Sequence, residues 1–292
     1  MITLHLNQLN NLDDVLSSYN SEEPIKIFLA EGIYHLKLTI SRNNLHFIGI
    51  PNKTVITNSD YAFKLHQDGL LYNTFRSQTV LITGSNVVFE NITIKNEAGR
   101  GDRIGQSIAL SVFGNHNRFI NCDLISNQDT LFIGPLPKEL SVRYDHILSI
   151  DEQTTSVGQH YFQGCRISGD VDYVFGSGTA LFDACTFISS ESGYVFAPST
   201  FEETPYGFIS YQSTFKSTSD TYKVILGRPW RDFGKVHLID NTFLSPVEPN
   251  RFDDWSKDAY FFFESPYVNS PYSIPVSDDL MTKLLKFIEE IR

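Results

Sequence analysis

From Val87 onward one phrase of apolar and polar positions recurs along the chain. Its copies are Phe89-Glu-Asn-Ile-Thr-Ile94, Phe119-Ile-Asn-Cys-Asp-Leu124, Phe162-Gln-Gly-Cys-Arg-Ile167, Phe182-Asp-Ala-Cys-Thr-Phe187, Ser210-Tyr-Gln-Ser-Thr-Phe215 and Leu238-Ile-Asp-Asn-Thr-Phe243. Each opens on a usually apolar residue, passes through a small or polar step and closes on an apolar residue five positions later. Short strand-like runs repeating every 20 to 30 residues or so, without helices between them, predict a β-solenoid. A βαβ fold would need helical crossovers, and a sandwich would show Asn-Gly hairpin turns; neither pattern is present.

The interval from Phe119 to Phe162 is about twice the next one, and the surplus falls in the polar stretch Pro135 to Gly158, with Arg143, Asp145, His146, Asp151 and Glu152. This predicts an excursion from the solenoid wall, one that leaves directly after Gln128-Asp129 and so stands beside them. Upstream, Leu9 to Tyr19 has apolar residues at helical spacing and predicts a short capping helix. Ile25 to Leu29, Ile33 to Ile40, Leu45 to Ile50 and Thr54 to Ile56 read as strands. Downstream, Tyr260 to Phe263 reads as a last strand. Asp278 to Arg292 reads as a closing helix, with acidic residues at its start and Leu280, Leu284, Leu285, Ile288 and Ile291 as one apolar stripe. No linker interrupts the pattern, and residues 1–292 read as one domain.

With 292 residues, 41% of them hydrophobic, the chain can bury a full core. A formal charge of −11 argues against nucleic acid as a partner, because a phosphate backbone would be repelled over most of the surface. No apolar run approaches the roughly 20 residues that cross a bilayer, so no membrane partner is expected. The first residues lack the basic start and apolar core of a secretory signal, which points to a cytoplasmic protein, although a secreted mature form would look the same. A monomer is expected. Cys122, Cys165 and Cys185 occupy one phase of the repeat and read as small buried hydrophobes rather than metal or redox groups, and no cofactor is called for.

Three segments break the strand pattern with groups that cannot sit unpaired in a core: Asn127-Gln128-Asp129-Thr130-Leu131, Val171-Asp172-Tyr173-Val174-Phe175-Gly176 and Leu226-Gly227-Arg228-Pro229-Trp230. Two carboxylates and an arginine on a rigid sheet surface are what acid/base or nucleophilic chemistry needs. Together with Gly105-Gln106-Ser107-Ile108-Ala109-Leu110, these segments resemble, in order, the successive signatures of the pectin methylesterase (pectinesterase) family. Weaker similarity extends from about Ile27 to Phe263.

The resemblance implies a right-handed parallel β-helix and hydrolysis of methyl esters on galacturonate units of pectin or its oligosaccharides, with water as co-substrate. It assigns Asp172 as nucleophile, Arg228 as its hydrogen-bonding partner, Asp129 as general acid and then base, and Gln106 and Gln128 as oxyanion donors. Trp230, Phe175 and Val171 fall to substrate binding, with Trp230 as the sugar platform. Without the neighbouring motifs, Gln106 and Gln128 read equally well as groups satisfying backbone in a solenoid turn, and Trp230 as core. Two departures stand out. Gly32-Ile33-Tyr34-His35-Leu36 puts a leucine where the family commonly has a glutamate that holds the sugar, and the Pro135 to Gly158 excursion replaces a short connection. Both point to a narrower cleft for short substrates. Three other readings stay open: a polygalacturonate glycoside hydrolase with one carboxylate as acid and one as base, an esterase or thioesterase on another acyl compound, and a solenoid that only binds carbohydrate.

Overall fold

The computed structural model describes residues 1–292, and the chain winds as a right-handed parallel β-helix with three short strands to a coil. Three parallel sheets of eleven, eight and seven strands form its faces. One full coil runs Asn117–Ile120, Asp123–Ile125 and Leu131–Ile133, and each strand pairs in register with its counterpart a coil away, as Phe119 does with Phe89 and Phe162.

Inside the coil the repeated phrase explains itself. Phe47, Phe89, Phe119, Phe162 and Phe182 stack as a column, with successive ring centroids 4.8, 6.0, 4.7 and 4.9 Å apart. Stacked aromatic pairs of this kind add about 0.5–1.5 kcal/mol each beyond the area they bury. The third position of the phrase turns the chain from the first sheet into the second. Asn91, Asn121, Gly164, Ala184, Gln212 and Asp240 all hold φ between 50° and 61° there. Asparagine and glycine tolerate that left-handed backbone, whereas Ala184 and Gln212 adopt it under the pull of the ladder. The amide of Ala184, for instance, donates to the carbonyl of Tyr211 one coil on.

The cysteines follow in the same frame and are fully buried. Each thiol donates to the carbonyl of the phenylalanine one coil back: Cys122 to Phe89, Cys165 to Phe119 and Cys185 to Phe162, at 3.3–3.4 Å. Ser213 continues the series with a hydroxyl bonded to Phe182. Burial pushes the Cys122 and Cys165 thiols well above their usual range, in keeping with an apolar packing role.

The ends of the coil differ from the sequence pattern in detail. A strand at Ile2–Leu6 precedes the capping helix, which is shorter than its apolar spacing predicts: α1 spans Leu12–Ser17, and Leu9 is buried in the turn before it. The run Ile33 to Ile40 is two strands, Gly32–His35 and Leu38–Ile40, because the chain turns at Leu36-Lys37 from one sheet to another. The excursion after Asp129 is partly ordered by a short helix, α2 (Lys138–Arg143), whose Leu140 joins Leu136 and Leu148 against Phe75, Phe113, Phe132 and Phe175 outside the third sheet. The closing helix α3 (Asp278–Ile291) lays Leu284 and Ile288 on Tyr161, Leu181, Ile209 and Ile239 of the first sheet. Leu285, expected in that stripe, is 39% exposed; Met281 and Phe287 pack in its stead, one helical turn to either side of Leu284.

Candidate active site

Register brings the two carboxylates together. Leu131 pairs with Val174 on adjacent coils, so Asp129 and Asp172, each two residues earlier, occupy the same place in successive turns, about 4.8 Å apart along the stack. The amide of Asp129 donates to the carbonyl of Val171 at 3.1 Å, which ties one turn to the other. Both aspartates hold left-handed backbone, with φ of 63° and 48°. Strained backbone of this sort, at non-glycine residues, collects at functional sites.

Arg228 follows directly on Gly227, two coils further along the same sheet. Its Nε and Nη2 donate to the two oxygens of Asp172 at 2.9 and 2.6 Å, a fork-to-fork pair. The guanidinium itself packs against the rings of Tyr194 and Trp255. Tyr194 donates to Asp253, and the backbone amide of Trp255 donates to the same carboxylate.

The electrostatics separate the two aspartates. Loss of water on burial, with the charges of Asp172 and Asp170 added, holds the Asp129 carboxyl well above the usual range, and the more distant charge of Arg228 opposes this only in part. Burial also raises Asp172, but the hydrogen bonds and charge of Arg228 pull it back toward ionisation. As pH rises Asp172 therefore loses its proton first, and its charge then helps Asp129 keep the other. Burial works against the charge on Arg228, yet the bonds to Asp172 more than offset it and the arginine holds its proton more tightly than usual.

These groups line a cleft of about 400 Å³. Gln106 and Gln128 are half-buried in it, and neither side-chain amide bonds to another protein group, so they do not serve the solenoid turn and their N–H groups are available to a ligand. Trp230 meets Phe175 edge to face at 5.6 Å and forms one wall rather than core. Five of the predicted groups, Gln106, Gln128, Asp129, Asp172 and Arg228, and both rings thus converge.

Val171 does not line the cleft; its carbonyl accepts from the amide of Asp129 and so ties the two turns together. Leu36 is also elsewhere. It packs against the hydrophobic core beside a depression bordered by Leu9, Leu12 and Leu38, so its replacement of a glutamate does not shape this cleft. What does shape it is the excursion, through Leu140, Arg143 and Tyr144.

Trp255, Tyr194, Arg231 and Phe75 are additions that the sequence pattern did not single out. Trp255 lies where the repeat has faded, and only long-range contacts place it: Asp253 donates its amide to Gly227, and the buried Arg251–Glu264 ion pair anchors the same loop.

A parallel β-helix bearing a charged carboxylate, a proton-holding carboxyl and two free amides in one groove defines a class of β-helix proteins equipped for acyl transfer. The pectinesterase family model matches residues 8–135 and 151–270, and the chain belongs to that family. Among curated relatives, Pectinesterase QRT1 of Arabidopsis thaliana is 29% identical over 253 residues, which cover 83% of this chain and 60% of that protein. The chain thus spans well under two thirds of that relative's length. Among solved structures, pectin methylesterase from carrot superposes with a TM-score of 0.75 at 20% identity, covering 96% of this chain and 89% of the other. A pectin methylesterase in complex with a hexasaccharide gives 0.72 at 23% identity, covering 97% and 94%. At these identities the solved structures bear on the fold alone.

Proposed function

We propose that this protein is a carboxylic ester hydrolase that removes methyl esters from galacturonate units of pectin or of short pectin oligosaccharides. The observation that carries the reading is the split of the carboxyl pair: Asp172 held by the arginine fork, and Asp129 one coil away kept protonated by burial and by its neighbour's charge.

In this reaction an oxygen of Asp172 attacks the ester carbonyl carbon, and the carbonyl electrons move onto oxygen. Gln106 and Gln128 donate to the oxyanion; one such donor is worth roughly 3 kcal/mol, a hundredfold or more in rate. The tetrahedral species collapses, the bond to the methoxy oxygen breaks, and Asp129 gives that oxygen its proton, so methanol leaves and an anhydride links Asp172 to the substrate. Asp129, now ionised, takes a proton from water as the water attacks the substrate carbonyl. Asp172 departs as carboxylate, the sugar acid is freed and gives its proton to solvent, and Asp129, protonated once more, is ready again.

Trp230 and Phe175 offer apolar faces to a sugar ring. The wall contributed by the excursion favours short substrates, a reading that rests on Leu140 and Tyr144 and no longer on Leu36. Membership of the pectinesterase family supports the substrate class, as does the hexasaccharide held by a protein of the same fold. A glycoside hydrolase is less well supported, because an oxocarbenium-like transition state offers no oxyanion to two free amides.

The test is methanol release from methylated oligogalacturonides of defined length, measured beside new reducing ends, with Asp129→Ala and Asp172→Ala as controls. Methanol without new reducing ends, lost in both variants, is expected. Reducing ends without methanol would replace the esterase by a glycoside hydrolase.

A further inference from the structure

A third carboxylate stands behind the pair. Asp170 is 5% exposed and does not line the cleft, yet it precedes Asp172 by two residues in the same turn. Two backbone bonds press that turn against the one that carries Asp129. The amide of Asp170 donates to the carbonyl of Asn127 at 3.0 Å, and the amide of Asp129 to that of Val171 at 3.1 Å. The charges that Asp129 faces are thus Asp172, Asp170 and Arg228, and Arg228 spends its bonds on Asp172. The cation that answers Asp170 comes from another loop. Arg100, in the segment that leads to Gln106, brings its Nε to 4.0 Å from Asp170, the outer reach of an ion pair, while its Nη1 bonds to Glu191. Gly99 and Gly101, with φ of 86° and 116°, supply the left-handed backbone on either side of it. Because Glu191 takes the closer contact, Arg100 answers Asp170 only in part.

The reaction gives that third charge a task. Asp172 is an anion only until it attacks; once it is part of the anhydride it is neutral, and its charge no longer acts on Asp129. Asp129 must nevertheless carry its proton to the methoxy oxygen and afterwards be basic enough to take one from water. Asp170 touches no reacting atom, so its charge is the same before and after acylation. We propose that Asp170 is a positioning residue that supplies Asp129 with a negative charge outlasting the acylation of Asp172, and that Arg100, shared with Glu191, sets how much of that charge Asp129 feels. The proposal rests on the esterase reading above and deepens it. Burial raises the pKa of Asp170 itself, and the amide of Val171 and the charge of Arg100 work against that rise, which favours its ionised form.

The test is the pH dependence of kcat/KM for methanol release from one methylated oligogalacturonide by the full chain, its Asp170→Asn variant and its Arg100→Gln variant. The basic limb marks loss of the Asp129 proton. Without the charge at position 170 that limb should move down by about one pH unit, the order that a second charge one coil away gives. Asp170→Ser, which also removes the charge, should repeat the fall. In Arg100→Gln the carboxylates of Asp170 and Glu191 stand unanswered, and the limb should move up by about half a unit. Residues that served only the fold would lower the rate at every pH and leave the limb in place. An unmoved limb in Asp170→Asn and Asp170→Ser, or limbs that move the same way in Asp170→Asn and Arg100→Gln, overturns the proposal. If wild type releases no methanol, the esterase reading fails on its own. Carbon-13 NMR of labelled aspartate carboxyls, with Asp129→Asn to assign the signal, then decides the coupling: titration of Asp129 at lower pH in Asp170→Asn sustains it, and titration at the wild-type pH removes it.

Discussion

The guanidinium carbon of Arg228 lies 3.7 Å from the ring centroid of Trp255 and 4.2 Å from that of Tyr194. The arginine that grips the proposed nucleophile thus packs against two aromatic rings, and Asp253 bonds to both of the residues that supply them. A cation over an aromatic face gains about 0.5–2 kcal/mol, according to how far it is desolvated. Since Arg228 has to keep both bonds to Asp172 in register, the clamp acts on the chemistry through the arginine.

Replacing Trp255 by Ala should therefore lower kcat/KM by about tenfold, within the range a lost cation–π contact allows. It should also move the acid limb of the pH profile upward. The sign follows from Asp172: activity needs its carboxylate, Arg228 draws its pKa down against burial, and a looser Arg228 lets that pKa rise. Kinetics across pH would check this. A raised KM with an unmoved acid limb would make Trp255 a sugar platform only.

Gln106→Ala and Gln128→Ala should each reduce kcat about a hundredfold with little change in KM, because their donors meet charge that exists only in the tetrahedral species. Steady-state rates on one methylated oligomer measure both. If KM rose while kcat held, the amides would be binding ground-state substrate.

Asp129 should make stability fall as pH rises. Its folded pKa stands above the unfolded value near 4, so the folded state binds the extra proton, and stability that is full below the unfolded pKa is lost as pH climbs toward the folded one. Asp129→Asn cannot ionise. Its urea midpoint should gain on wild type as pH rises above the unfolded value near 4, and a gap that stays constant as pH rises would refute the coupling.

The buried ion pair of Arg251 and Glu264, with Ser273 donating to the same carboxylate, should matter to the site from a distance. Glu264→Gln leaves an arginine buried without its counter-charge, at a cost of about 3–5 kcal/mol. Loss of both stability and activity is expected, since the Arg251 loop carries Asp253 and Trp255. Urea denaturation and kcat/KM together would show whether the two fall in step.

The sequence by itself determined the coil and most of the groove. A parallel β-helix repeats one local environment, so Phe119 and Phe162, Cys122 and Cys165, and Asn121 and Gly164 answer the same stacking, thiol and left-handed-turn requirements, and a phrase in the chain becomes a row in space. Asp129, Asp172 and Arg228 could be read because they interrupt that phrase, and their family motifs supplied their roles. Tertiary structure decided everything that leaves the repeat. Trp255 reaches Arg228 because Asp253 bonds to Gly227 and Arg251 to Glu264. Arg143 enters the cleft because Leu140 and Leu148 dock on Phe75 and Phe132, and Leu36 misses it because the chain turns there onto the core. Such placements depend on contacts between distant parts of the chain, and no local periodicity encodes them.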